Sequence, residues 1–494
     1  MPTRIRRLVI GAFAPLACLG LVPTAHAGEL ILTNMSTKPI TCKVDGYPRP
    51  FAILPAVQHH FPPNLAAREP IIDSVDCGNL RPRLMHITLA GPDHVLVLNG
   101  QQTRTLNAFL YAYIPTLNNS FSSLASYIIS TYQAQNPQVL LNLVIDPSVN
   151  VYDFATLQKL AGPGGYDVLE VDMSLLGFLV SNNLITPASI MGDQPFPVAR
   201  QTATFNGTLY AIPSWLCSNF FFYFSNDPKE KLTLRQIKAA RGDLYDRILV
   251  SDFDGSWTIT AMYLMTYAQL YGYANLNQAF TMPPDPPTIQ TMIGYPLYCN
   301  GSGGNPCIDG TYHNAPDGTV ERAFATGQAL VDIGFSERSF FVNLYDTVPG
   351  TLLVAPVEWS QPLSNVLLLY TDGFVTNSST CSTGTCAGDT QAFTTLMTGA
   401  AMKTYIAFSQ DLPSGTPPRH LLVATQPFWS QSVVQNDPLY SQLAPVVNGT
   451  GYELDSFPNF FTPAQKQAVS TGVCAALQAK LPNYACSTSA PAAR

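Results

Sequence analysis

The sequence predicts an α/β protein preceded by a small all-β module. Three observations carry that reading: strand-like and helix-like segments alternate from Leu106 onward, short apolar runs broken by Gly, Pro and Asn fill the stretch before it, and an apolar segment stands ahead of both. That first segment, residues 1–27, has Arg4, Arg6 and Arg7 in front of an apolar run ending at Val22, and closes on Ala25-His26-Ala27. Such a layout predicts a signal peptide cleaved near Ala27, and hence a periplasmic or secreted product. Cys18 does not make it a lipoprotein leader, because Pro15-Leu-Ala precedes it and the apolar run continues past it. Losing the three arginines takes the formal net charge from -7 to -10, which argues against nucleic acid or an anionic membrane surface as partner. No later stretch approaches the ~18 to 20 apolar residues of a membrane span. Only 12% of residues are charged, about half the usual share, so neutral polar groups must cover a soluble surface.

Residues 28–102 contain apolar runs at 30–32, 39–44, 86–89 and 94–98, the pattern of short strands joined by turns. From residue 103 to 494 the pattern is that of a larger α/β domain. Residues 109–114 read as a strand, 120–135 as a helix, 138–145 as a strand, 153–161 as a helix, 166–171 as a strand and 174–182 as a helix. Such βαβ alternation builds a mainly parallel sheet covered on both faces, with ligands outside the carboxyl ends of its strands.

Ten cysteines bear on the chemistry. Cys18 falls in the leader, and eight others form four local pairs: Cys42 with Cys77, Cys299 with Cys307, Cys381 with Cys386, and Cys474 with Cys486. Cys217 is left over. In an exported protein an odd cysteine is a reactive thiol, an intermolecular bridge or an inert buried side chain. His59-His60 has no further ligands at metal spacing and reads as a loop or packing feature.

The stretch Tyr166 to Pro187, a strand followed by Asp-Met-Ser-Leu and a helix ending in Asn-Leu-Ile-Thr-Pro, resembles the two-lobed periplasmic solute-binding proteins of type II architecture. Asn206-Gly-Thr-Leu-Tyr-Ala-Ile-Pro213 leading into Phe220-Phe-Phe-Tyr-Phe-Ser-Asn-Asp227 resembles the strands that cross between their lobes. This resemblance implies a periplasmic-binding-protein-like fold with an interlobe cleft, and places Cys217 on the cleft floor. There Pro213-Ser-Trp-Leu-Cys-Ser-Asn-Phe-Phe-Phe-Tyr223 is similar to the nucleophile segment of the thiaminase I family, the thiamine pyridinylases, over a resemblance spanning roughly residues 106–480.

Further roles are what this resemblance implies. Gly334-Phe-Ser-Glu-Arg338 matches the context of the family's catalytic base at Glu337, with Phe335 where a tyrosine is expected. Tyr111 and Tyr113 match a pocket-lining Tyr-x-Tyr on the first strand, and Tyr370 and Asp372 a later Tyr-x-Asp. Asp167 or Asp172 supplies a further carboxylate, the alignment leaving open which, and Tyr152 is a further pocket candidate. A thiol attacks only as thiolate, from a free pKa of about 8.5, so a neighbouring carboxylate raised by burial suits it as proton acceptor. The other reading of Glu337 is an ion pair with Arg338 or another cation. Tyrosine faces suit an aromatic ring, and carboxylates suit a cationic ring or an exocyclic amine, features that thiamine combines. The implied reaction is base exchange: Cys217 forms a covalent adduct with the pyrimidine, the thiazole leaves, and an amine, pyridine or thiol takes its place. It needs no metal or organic cofactor, and zinc, phosphate-loop and Gly-x-Ser-x-Gly motifs are absent from the sequence. Thiamine and a small nucleophile are the expected partners of a monomeric chain. A non-catalytic binding protein for thiamine or a related aromatic solute is the alternative; it leaves the odd thiol unexplained.

Overall fold

A computed structural model describes residues 28–485 apart from 48, 63–70, 78–83, 89–92, 119, 228–246, 314–317, 358–365, 383 and 461; the expected leader, 1–27, lies outside it. Seven strands come first: β1 (Leu30–Asn34), β2 (Ile40–Val44), β3 (Phe51–Ile53), β4 (Gln58–Phe61), β5 (Ile71–Asp76), β6 (Leu84–Thr88) and β7 (His94–Leu98). They form two sheets, β4-β1-β7 and β3-β2-β5-β6. The run His-Val-Leu-Val-Leu of β7 is apolar without alternation because both of its faces are covered. Leu96 and Leu98 join the small core of these strands, with Leu30, Leu32 and the Cys42–Cys77 disulfide. Val95, Val97 and Ile31 turn the other way into the main core of the molecule. The β-rich region is therefore cemented to the rest, and Gln133 reinforces the seam by donating to the Val97 carbonyl at 2.7 Å. His60 meets Glu29 at 2.8 Å and His59 stands 5.5 Å from the Phe51 ring, local contacts that account for both histidines.

The first lobe is built on β8 (Arg104–Leu110), β9 (Val139–Ile145) and β10 (Val168–Asp172). A two-strand hairpin, β11 (Thr204–Phe205) and β12 (Thr208–Leu209), follows, its Asn206-Gly207 turn at positive φ as a tight hairpin requires. Next come β13 (Ile212–Cys217), which stays in the first lobe, and β14 (Asn219–Ser225), which belongs to the second. The second lobe adds β15 (Arg247–Ser251), β16 (Ala329–Phe335) and β17 (Thr351–Pro356); the chain then returns with β18 (Val366–Thr376), β19 (Leu422–Val423) and β20 (Glu453–Ser456). Sheet order is β19-β13-β18-β10-β8-β9 in the first lobe, with β20 beside β18, and β15-β16-β14-β17 in the second.

Both sheets are mixed, not mainly parallel. β10, β8 and β9 run parallel as the βαβ pattern predicts, but β18 enters from the other lobe and pairs antiparallel with both β10 and β13. Helices cover the faces, so every residue of β14, Asn-Phe-Phe-Phe-Tyr-Phe-Ser, is buried. The expected early helices appear as Ser122–Gln135, Phe154–Ala161 and Leu176–Ser181. The second opens on Asp153, whose carboxylate accepts the Thr156 N–H at 2.8 Å, a cap worth about 1 kcal/mol. Cys299–Cys307 and Cys381–Cys386 are bridged as the spacing suggests. Cys474 is also disulfide-bonded, and its expected partner Cys486 lies outside the described residues. Cys217 is a free thiol.

Candidate active site

The chain changes sheets at Ser218, between the end of β13 and the start of β14, and this crossing builds the site. In β13 a register irregularity between Pro213 and Trp215 marks a bulge at Ser214. Beyond it Trp215 pairs with Asp372 and Cys217 with Tyr370, while Asp172 at the end of β10 pairs with Asp372 from the other side. Directly opposed residues share a sheet face, so the thiol, both carboxylates and the tyrosine meet. Across the crossing, Asn219 pairs with Phe335 at the end of β16, which puts Glu337 two residues further, in a 3-10 turn at the same opening.

These residues line one interlobe cavity of about 380 Å³, together with Tyr111, Tyr113 and Tyr152. Tyr111 and Tyr113 do not lie on the first strand, as the sequence suggested. β8 ends at Leu110, and the two rings, 4.9 Å apart, stand just beyond its carboxyl end. Asp172 is the carboxylate at the cavity. Asp167 precedes β10 and spends its Oδ2 on the N–H and side-chain amide of Asn107, at 2.8 and 3.1 Å, away from the opening.

Cys217 is half-buried and its Sγ donates to Asp372 Oδ2 at 3.7 Å. Burial pushes the thiol well above its ordinary pKa, and the charges of Asp372, Glu337 and Asp172 add to that. Asp372 is itself driven well above the usual carboxylate range by burial, with Asp172, Glu170 and Glu337 contributing. Glu337 is 7% exposed, and burial raises its pKa to about 7 against the opposing pull of its own backbone N–H, Arg338 and Ser336. Arg338 directs its guanidinium to Glu321 with bonds of 2.5 and 2.7 Å, so the ion-pair reading of Glu337 loses its main partner. Asp172 accepts the Tyr152 hydroxyl at 2.8 Å and the Ser174 N–H at 2.7 Å, and Tyr111 donates to the Tyr152 oxygen at 3.3 Å. The Tyr370 hydroxyl donates to the Ala261 carbonyl at 3.2 Å, so this residue offers the cavity a ring face. The Tyr113 hydroxyl and the Asn219 amide nitrogen are buried donors with no hydrogen-bond partner among the described residues. Both line the cavity.

Sequence reasoning missed what lies beneath. Glu170 and Lys403 are almost wholly buried under β13. Lys403 Nζ donates to Ser214 Oγ at 2.6 Å and lies 3.3 Å from the Trp215 ring centre. Ser214 donates to Glu170, which also accepts from the Trp215 side chain and the Tyr111 backbone. This network ties the bulge, the strand leading to Cys217 and the loop bearing Tyr111 together. A lone lysine in a helix and a glutamate in an apolar strand give no local signal of such a pairing. Asn219 could have been found, since it stands two residues after the odd cysteine.

A second cavity of about 540 Å³ lies away from these groups, lined by residues such as Phe196, Gln426, Trp429 and Tyr452, with no carboxylate, thiol or lysine. Two clusters bring metal-ligating side chains together among the described residues. In one, Asp167 meets Cys381 and Cys386, whose sulfurs are consumed in their disulfide. In the other, His313 sits 3.6 Å from the Asp254 carboxylate, with Asp252 nearby, and its hydrogen bond to Asp254 raises its pKa.

No protein-family model matches the chain. It is similar to Thiaminase-1 of Paenibacillus thiaminolyticus, 24% identical over 367 residues, which is 70% of this chain and 81% of that protein. Solved structures share the fold. Thiaminase I from Bacillus thiaminolyticus superposes with a TM-score of 0.60 at 22% identity over 76% of this chain and 99% of that one. Clostridium botulinum thiaminase I in complex with thiamin gives 0.59 at 17% identity, over 76% of this chain and all of that one. A maltodextrin binding protein from L. casei gives 0.51 at 16% identity, over 77% of this chain and 94% of that one. The chain thus has the two-lobed fold common to thiaminase I structures and sugar-binding proteins, and its sequence is similar to that of a thiaminase.

Proposed function

We propose that this protein is an exported thiamine-degrading transferase in which Cys217 is the nucleophile and Glu337 its proton acceptor. The observation that carries the reading is the meeting, in one cavity, of the odd thiol with a buried glutamate whose pKa lies near 7. Glu337 takes the thiol proton, and Cys217 Sγ bonds to the pyrimidine carbon next to the ring nitrogen. The thiazole departs with the electron pair of its bond to the bridging methylene. An amine, pyridine or thiol then bonds to the methylene, and the Cys217 bond breaks to restore the thiolate, which recovers its proton from Glu337. Burial that raises Glu337 to about 7 narrows its gap to the Cys217 thiol, which burial raises as well, and so eases return of the proton in the second half of the reaction. Asp172 and Asp372 suit the aminopyrimidine edge, and the faces of Tyr111, Tyr113 and Tyr370 suit its ring. Similarity to a thiaminase, and a cavity in the position expected for a two-lobed fold, support thiamine as the substrate. Purified protein with thiamine and aniline should release free thiazole. Tight thiamine binding without release would leave a solute-binding protein instead.

A further inference from the structure

Chain from the C-terminal end backs the first-lobe wall of the cavity. β20 pairs parallel with Val366–Leu369 of β18, immediately before Tyr370. The next residue after β20, Phe457, donates its N–H to the Leu369 carbonyl at 3.0 Å, and its ring centre lies 4.4 Å from that of Tyr370. Asn459 then pins the strap to the first lobe. Its carbonyl accepts the Gly177 N–H at 2.7 Å, and its side chain donates to the Thr202 and Thr204 carbonyls at 2.8 and 2.7 Å. Gly177 permits the approach, because a Cβ there would stand 2.9 Å from Asn459 O and Phe460 Cα. Helix Pro463–Gln478 follows, opened by a Thr462–Gln465 capping box, and packs on helix Ser256–Tyr271 beside the second lobe. Its first turn sends Lys466 back to the first lobe, where Nζ lies 3.3 Å from the centre of the Tyr152 ring.

We propose that Lys466 is a positioning residue for substrate binding, holding the Tyr152 ring from outside the cavity and, through the Tyr152 hydroxyl, the orientation of the Asp172 carboxylate. It does not line the cavity itself, whereas Tyr152 and Asp172 do. An ammonium over an aromatic face is attracted by the ring quadrupole, and the attraction grows as water is excluded. Burial lowers Lys466 to about 7 and Asp172 pulls it back up, so the amine lies within the field of the carboxylate it supports. A lysine serving only solubility would send its head to water.

The inference rests on the thiamine reading, and the test separates the two. In Lys466→Met, KM for thiamine should rise about tenfold while kcat stays within about twofold, the pattern of lost binding without lost chemistry. Lys466→Arg should recover most of the KM, because a guanidinium also stacks on a ring. An unchanged KM in Lys466→Met, with wild type active, overturns the assignment alone. So does an equal loss of kcat in both variants accompanied by a lower melting temperature, which marks a merely structural lysine. A wild-type protein that releases no thiazole overturns the thiamine reading and this assignment together.

Discussion

On the first-lobe wall of the cleft, Asp172 and Asp372 face each other across one register position and are engaged by Tyr152, the Ser174 amide and the Cys217 thiol. On the second-lobe wall Glu337 stands past the end of a strand, with a weak 3.5 Å contact from Ser336 Oγ. The difference separates two tasks. Carboxylates packed against each other and fixed by donors suit an oriented recognition surface, while a carboxylate with few donors and a pKa raised to about 7 suits proton exchange. The two walls come from different sheets, one in each lobe.

The largest effect expected is that of the proposed nucleophile, Cys217, which stands at the junction of the walls. Cys217→Ser should reduce thiazole release by at least ~10⁴-fold, because an alkoxide is far harder to form than a thiolate. Retained thiamine binding in that variant would show that the recognition wall survives, and near-normal turnover would remove covalent catalysis. Glu337→Gln should cost roughly 10² to 10⁴-fold in kcat. The wild-type kcat/KM should rise with pH through about 7, as Glu337 loses its proton, and the Gln variant should lack that limb. The sharper contrast is Asp372→Asn, which should raise KM about tenfold and change kcat less than Glu337→Gln does. A kcat loss equal to that of Glu337→Gln would transfer the proton acceptor to the first-lobe wall, where Asp372 already touches the thiol.

A smaller effect concerns stability. Glu337 has its folded pKa raised from 4.5 to about 7, so between those values the unfolded chain loses its proton while the folded one keeps it. Stability therefore falls as pH rises across that window. Glu337→Gln removes the penalty and should stabilise the fold above pH ~7 by on the order of 3 kcal/mol, a gain that vanishes below pH ~4.5. Equal melting temperatures at pH 8 would mean that the carboxylate is compensated by a partner.

Local pattern and family resemblance made different parts of this candidate site legible. The odd cysteine stands out by counting, whereas Glu337, Tyr370 and Asp372 come from the family resemblance of Gly334-Phe-Ser-Glu-Arg338 and Tyr370-Thr-Asp372, and the strand register brings them to the same opening. The choice between Asp167 and Asp172 was not legible, since it depends on where β10 begins and ends, and strand boundaries are the weakest part of any pattern. The strand before Tyr111 was read too late by several residues for the same reason: the apolar run continues past Leu110 into the loop that forms the cavity. Lys403 and Lys466 were invisible because each meets its partners hundreds of residues away, Lys403 at Ser214 and Lys466 at Tyr152. The union of the N-terminal strands with the main core was hidden likewise, although the unbroken apolar run of β7 is the trace of a strand buried on both faces.

The most direct test of the central claim is a single-turnover reaction of thiamine with the wild-type protein in the absence of added nucleophile, denatured while product forms and mapped by peptide mass. The account predicts that the pyrimidine moiety is attached to the peptide containing Cys217, that thiazole is released in equal amount, and that aniline added before denaturation removes the label. Thiazole release with no label on Cys217, or with label on another residue, would contradict it.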